Sequence, residues 1–264
     1  MSRKSKRSKI GRCNICGVNG ALTNDHVPPK GSTRITQMEM YGILEVMAAQ
    51  RPERKGKQSQ NGVKFKTLCA RCNNERLGSV FDPALNQFSN DLAAVVRTPI
   101  AVPDVCTLSI EPNKVVRAVV GHLMAVGNDR YGSEGVPGKL SEYFLNEKSI
   151  LPPEFGVYCW VYPYRRNILI RDAGMCLDFP SMNFVFFWLI KYFPVAFLVT
   201  YEEPDSVTFK MPNLTDLLSE DISKIASLSL ELSSVPKQNW PEAPMRSSVV
   251  LYSQDAYGAH EKSK

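Results

Sequence analysis

With 264 residues, 44% of them hydrophobic, the chain has the make-up of an ordinary soluble globular protein with room for one large domain or two small ones. Its longest apolar stretch, Phe184 to Val199, is interrupted by Lys191 and Pro194 and is too short to cross a bilayer as a helix. Met1 to Arg12 is too basic and polar for a secretory signal, so no membrane partner and a cytoplasmic location are expected. The net charge of +6 is uneven: residues 1–80 hold 16 Lys and Arg against 5 Asp and Glu, or +11, which leaves −5 for residues 81–264. Such a basic segment points to a polyanionic partner, because Lys and Arg facing phosphates release condensed counterions.

The opening segment carries Arg3, Lys4, Lys6, Arg7, Lys9 and Arg12 with almost nothing apolar, and a disordered basic arm is expected over residues 1–12. A first domain follows over residues 13–100. It contains two Cys-x-x-Cys pairs, Cys13/Cys16 and Cys69/Cys72. Between them, apolar periodicity predicts a helix over Ile35 to Ala49, a polar loop fills Gln50 to Gly62, and the alternation of Val63, Phe65 and Thr67 predicts a strand. Asn74 to Val80 reads as helical, and Phe81, Leu85, Phe88, Leu92 and Val95 recur at helical spacing around Pro83. Pro99 and Pro103 mark a boundary at about residue 100.

The second part, residues 101–264, opens on a predicted strand, Val105 to Ile110. A helix from Pro112 places Val115, Val116, Val119, Val120, Leu123 and Met124 at helical spacing. Strands are predicted over Phe155 to Tyr162, Asn167 to Arg171, Gly174 to Asp178, Phe184 to Ile190 and Val195 to Tyr201. A helix over Leu214 to Ala226 and strands over Ser227 to Glu231 and Ser247 to Tyr252 complete the pattern. Links this short favour antiparallel pairing, so the fold class is α+β with a mainly antiparallel sheet. The aromatic runs around Trp160 and Trp188 read as core at strand spacing, and no chemical motif accompanies them. Target recognition, homo-oligomer formation and contact with a regulatory partner are the roles open to this part.

The chemistry-bearing residues lie in the first part. Each cysteine pair sets two thiolates one tight turn apart, and two pairs complete a tetrahedral shell with no place for water. A structural Zn²⁺ is therefore expected on Cys13, Cys16, Cys69 and Cys72. Cys106, Cys159 and Cys176 lie in apolar stretches and read as small buried thiols. Asp25 and His26 follow the first pair, and Asn73 follows Cys72 directly, so one ion clamping both pairs draws these three together. A carboxylate and an amide oxygen suit Mg²⁺ or Mn²⁺, and a histidine beside them can take a proton from water. Of the other histidines, His122 is expected to pack or hydrogen-bond within an apolar helix and His260 to lie exposed in a polar tail.

Cys13, Cys16, Asp25, His26, Cys69, Cys72 and Asn73, in that order, resemble the HNH endonucleases of the ββα-metal group, over roughly residues 10 to 85. The resemblance implies an N-terminal zinc-stapled ββα-metal nuclease domain followed by the α+β domain. In it Asp25 and Asn73 are the catalytic Mg²⁺ or Mn²⁺ ligands, His26 is the general base, and the four cysteines are the zinc shell. The implied reaction is metal-dependent hydrolysis of phosphodiester bonds in DNA, weakly sequence-specific and at home in bacterial or phage conflict; RNA stays open as a substrate. Nucleic-acid-binding contacts fall to Arg3, Lys4, Lys6, Arg7, Lys9 and Arg12 of the arm and to Arg54, Lys55, Lys57 and Lys64. Many members carry an Asn five residues before the third cysteine, where this chain has Lys64. That departure leaves two outcomes open, weaker catalysis or a substitute such as Asn61 reaching in from the preceding loop, and a catalytically weak or inactive zinc-containing nucleic-acid-binding protein is the alternative.

Overall fold

In chain order the first half gives β1 (Ile10–Arg12), β2 (Asn19–His26), β3 (Met38–Gly42), α1 (Ile43–Ala49), β4 (Lys57–Ser59) and β5 (Lys64–Cys69). A π-helical segment, Arg71–Phe81, then runs straight into α2 (Asp82–Val96). The second half gives β6 (Val105–Ile110), α3 (Pro112–Ala125), α4 (Gly135–Leu145), β7 (Phe155–Val161), β8 (Asn167–Cys176), β9 (Phe184–Tyr192) and β10 (Val195–Tyr201). A 3₁₀ turn, Leu214–Leu217, β11 (Ala226–Glu231), β12 (Val249–Leu251) and β13 (Ala256–Glu261) follow. These elements belong to a computed structural model that describes residues 9–34, 36–49, 56–98, 103–176, 183–204, 207–242 and 249–262.

The fold is α+β, and its strand ladders are antiparallel. A small sheet runs β1-β2-β5, a large one runs β4-β3-β13-β8-β9-β10-β7 with β12 added to β8, and β6 pairs with β11. Ile10, Gly11 and Arg12, assigned from sequence to the arm, pair with β2. The helix expected over Ile35 to Ala49 is shorter: only Ile43–Ala49 is helical, Met38–Gly42 is a strand, and Ile35 lies outside the described residues. Met38 and Tyr41 fit a helical stripe, while Met38, Met40 and Gly42 fit the alternation of a strand. The free edge of β13, more than two hundred residues on, then settles the choice by pairing Met38 with Glu261 and Gly42 with Tyr257.

Two further expectations change. Asn167 to Arg171 and the described part of the second expected strand, Gly174 to Cys176, merge into the single strand β8, whose pairing with β9 shifts register between Ile170 and Ala173, with Asp172 at φ 58°; Leu177 and Asp178 lie outside the described residues. The helix over Leu214 to Ala226 reduces to one 3₁₀ turn, because Asn113 of α3 takes the carbonyls of Ser219 and Asp221 that a longer helix would need.

Helix α3 is the centre of the molecule. Every residue from Val115 to Ala125 is buried, as expected of a helix apolar nearly all round. It touches β2 and β5 of the small sheet, β8 and β9 of the large sheet, and α2, α4 and the π-helical segment. One continuous hydrophobic core runs from Leu22 and Phe65 through Val119 to Trp188 and Phe197, and a second cluster around Trp160, Phe187 and Leu198 packs on the large sheet. Among the described residues no helix is long and apolar enough to cross a membrane.

Candidate functional site

Cys13 and Cys16 flank the turn after β1, Cys69 ends β5, and Cys72 lies in the first turn of the π-helical segment. Their four Sγ atoms all lie within 4.8 Å of one another, and Cys16 Sγ is 3.7 Å from Cys69 Sγ. A tetrahedral ion with Zn–S bonds of about 2.3 Å sets its sulfurs about 3.8 Å apart, so the cluster fits zinc, whereas a disulfide would need about 2 Å. The four cysteines can therefore hold a zinc ion. The hydrogen bond from Cys72 holds the Cys13 thiol down at about 4, while burial pushes Cys16 up to about 11 and the bond to Cys13 raises Cys72. Four thiolates this close repel one another, and full deprotonation needs a cation among them. Gly17 closes the first turn at φ 70°, donating to Cys13 O at 2.9 Å; a Cβ there would fall 2.4 Å from the Tyr131 ring.

The same staple sets the start of the π-helical segment against the end of β2. Alternation puts Thr23 and Asp25 on one face of that strand, towards the helices. Asn73, next after Cys72, donates Nδ2 to Thr23 Oγ1 at 2.8 Å and to Asn24 O at 3.0 Å. Thr23 Oγ1 in turn donates to Leu68 O at 2.9 Å, closing a link between β2, β5 and the helical segment.

Asp25 is 3% exposed, and its Oδ2 lies 2.9 Å from His122 Nδ1; His122 Nε2 lies 2.9 Å from Asp82 Oδ1. A strand, a buried helix and the first residue of α2 thus meet in an Asp–His–Asp row. Burial pulls the His122 imidazole down, but the charges of Asp25 and Asp82 and their hydrogen bonds outweigh it and lift it to about 10. Burial also pushes the Asp25 carboxyl up, opposed by the charge of His122, so the two groups hold their proton between them along a 2.9 Å contact. His122 does hydrogen-bond, as its sequence setting suggested, but out of its helix. Neither it nor Asp82 stood out in the sequence, because the three residues are 97 and 40 positions apart and no local spacing announces them.

His26 ends β2 opposite Lys64 of β5. Its Nε2 is buried without a hydrogen-bond partner. Burial first, then the charges of Lys30 and Lys64, lower it to about 4, so the imidazole is neutral at neutral pH. The π-helical geometry itself, with i→i−5 bonding shown by Asp82 N to Leu77 O, spans eleven residues, long for a motif that mostly appears as single turns near functional sites.

Of the basic residues, Lys9 is exposed and donates to Asn128 Oδ1 at 3.0 Å. Arg12 donates to Gly17 O at 3.1 Å and lies 4.0 Å over the Tyr131 ring. Lys57 is exposed on β4 and Lys64 half-buried on β5. Arg3, Lys4, Lys6, Arg7, Arg54 and Lys55 lie outside the described residues. Comparison with protein-family models, curated proteins and solved structures finds no match to this chain.

Proposed function

We propose that the chain is a metal-dependent endonuclease of the HNH type that hydrolyses phosphodiester bonds in DNA, its ββα-metal unit stapled by a structural zinc ion. The observation that carries this reading is the pair of bonds from Asn73 to Thr23 and Asn24, which join the residue after the last cysteine to the strand end bearing Asp25 and His26. Strands β2 and β5 and the π-helical segment supply the two strands and the helix of such a unit.

Asp25 and Asn73 would hold Mg²⁺ or Mn²⁺ through oxygen. His122 takes Asp25 Oδ2, which leaves Oδ1, and β2 takes Asn73 Nδ2, which leaves its Oδ1. One carboxylate and one amide oxygen suit a hard dication that keeps several waters and shares phosphate oxygens. Such an ion, when bound, supplies positive charge to the scissile phosphate and the leaving oxygen. His26, uncharged at neutral pH, takes the proton of the attacking water on Nε2. Lys9, Lys57 and Lys64 contact phosphates without reading bases.

One observation favours a second reading. Asp25 is almost wholly buried and already engaged by His122, as in a structural ion pair, and this suits a zinc-containing nucleic-acid-binding protein without turnover. Plasmid, single-stranded DNA and RNA incubated with zinc-loaded protein and Mg²⁺ or Mn²⁺, beside His26→Ala and Asn73→Ala, separate the two. Cleavage lost in both variants, with zinc content and fold retained, supports the endonuclease. Salt-sensitive binding with no cleavage by the parent would overturn it in favour of the second reading.

A further inference from the structure

We infer that His122, anchored from behind by Asp82, is a positioning residue that aims the Asp25 carboxylate at its metal ion, so that the site is completed by a helix from the second half of the chain. The inference rests on the endonuclease reading above. Its geometry is a row of three side chains: Asp25 Oδ2, then the two ring nitrogens of His122, then Asp82 Oδ1, each contact 2.9 Å. Asp25 and His122 are 3% and 1% exposed, so water does not compete for these bonds. His122 in turn cannot drift, because α3 is buried along its length and the ring is held at both ends. A carboxylate with one oxygen fixed by an imidazole presents the other oxygen in one direction only, which is what a metal ligand with few protein partners requires. Asp82 is the less buried member, at 16%, and serves as the outer anchor.

The test uses the zinc-loaded full chain and Mn²⁺ binding, followed by electron paramagnetic resonance without nucleic acid. An Asn side chain puts its amide nitrogen near the place of Nδ1 and keeps the donor to Asp25; Gln puts it near Nε2 and keeps only the donor to Asp82. His122→Gln should weaken Mn²⁺ binding about 10- to 100-fold, and His122→Asn by clearly less. Equal losses in the two variants would mark His122 as merely structural and overturn the inference, as would wild-type affinity in both. Asp25→Asn is the control for the reading beneath: if it binds Mn²⁺ like the parent, Asp25 is no ligand and the metal site itself falls, whatever His122 does. Should the His122 variants lose zinc or helical ellipticity, Asp82→Asn carries the test. It leaves the His122–Asp25 contact but loosens its anchor, so weaker Mn²⁺ binding supports the inference and unchanged binding overturns it.

Discussion

Asn14, enclosed between the first two cysteines, donates its side-chain amide to the carbonyl of Met124 at 3.0 Å and to that of Gly127 at 2.9 Å. The turn between the first two cysteines therefore caps the C-terminal end of α3, where the last carbonyls of a helix have no partners of their own. Thr67 Oγ1 donates to Ala125 O at 2.6 Å, and Arg171 of β8 donates to Met124 O and Val126 O at 2.9 and 3.1 Å, so residues from both sheets converge on this one helix end. Asn14→Ala strips two carbonyls of a buried donor and should lower unfolding stability by about 2 to 3 kcal/mol in a denaturant titration. Zinc content should not change, since Asn14 offers no sulfur. A variant as stable as the parent would show that the cap carries no weight.

With zinc loaded on the four cysteines, its removal should do far more. Zinc held by four thiolates contributes on the order of 10 kcal/mol, comparable with the whole stability of a domain, about 5 to 15 kcal/mol. Chelation should therefore melt the small sheet and, through Asn14 and Thr67, loosen the end of α3. Amide hydrogen exchange read at Leu123 to Val126 before and after chelation checks this. Unchanged protection at those amides would disconnect the staple from α3.

Gly121 is the residue that lets α3 come close enough for His122 to reach across. A Cβ there would fall 2.5 Å from Phe144 Cε2 and 2.7 Å from Leu77 Cδ2, both on buried side chains. Gly121→Ala raises helix propensity in isolation, yet overpacking of this kind costs about 1 to 3 kcal/mol. The expected outcome is a net loss of stability, read by thermal unfolding. A gain would mean that Phe144 and Leu77 yield without strain.

What was legible in the sequence was what short spacings encode. Cys13/Cys16 and Cys69/Cys72 announce a cluster because two residues between cysteines fit one turn, and α3 announces itself through valines at helical spacing. Met38–Gly42 was misread because an apolar stripe of that length fits both periods, and the deciding partner, β13, lies at the far end of the chain. For His122 the sequence predicts packing or a hydrogen bond within its helix and cannot name the partners, for the same reason. The carboxylates that give it a role come from β2 and from the start of α2, and only the tertiary fold brings them together.

Lys191, 0% exposed in β9, places its Nζ 2.5 Å from Gln238 O, 2.9 Å from Trp240 O and 2.6 Å from each carboxylate oxygen of Glu242. The ammonium thereby ties the segment before Glu242 onto the large sheet. Lys191→Met would leave the Glu242 carboxylate buried without its cation, a loss of about 3 to 5 kcal/mol, whereas adding Glu242→Leu should restore most of it. Burial, opposed by Glu242, lowers Lys191 in the folded protein to about 8 from the usual 10.5. Between those values the unfolded chain binds more protons than the folded one, so raising the pH favours folding. The gap in stability between parent and Lys191→Met should therefore widen from pH 8 towards pH 10. Denaturant midpoints measured for both proteins across that window give the answer, and a gap that stays flat or narrows would mean that Lys191 keeps its proton at least as firmly folded as unfolded.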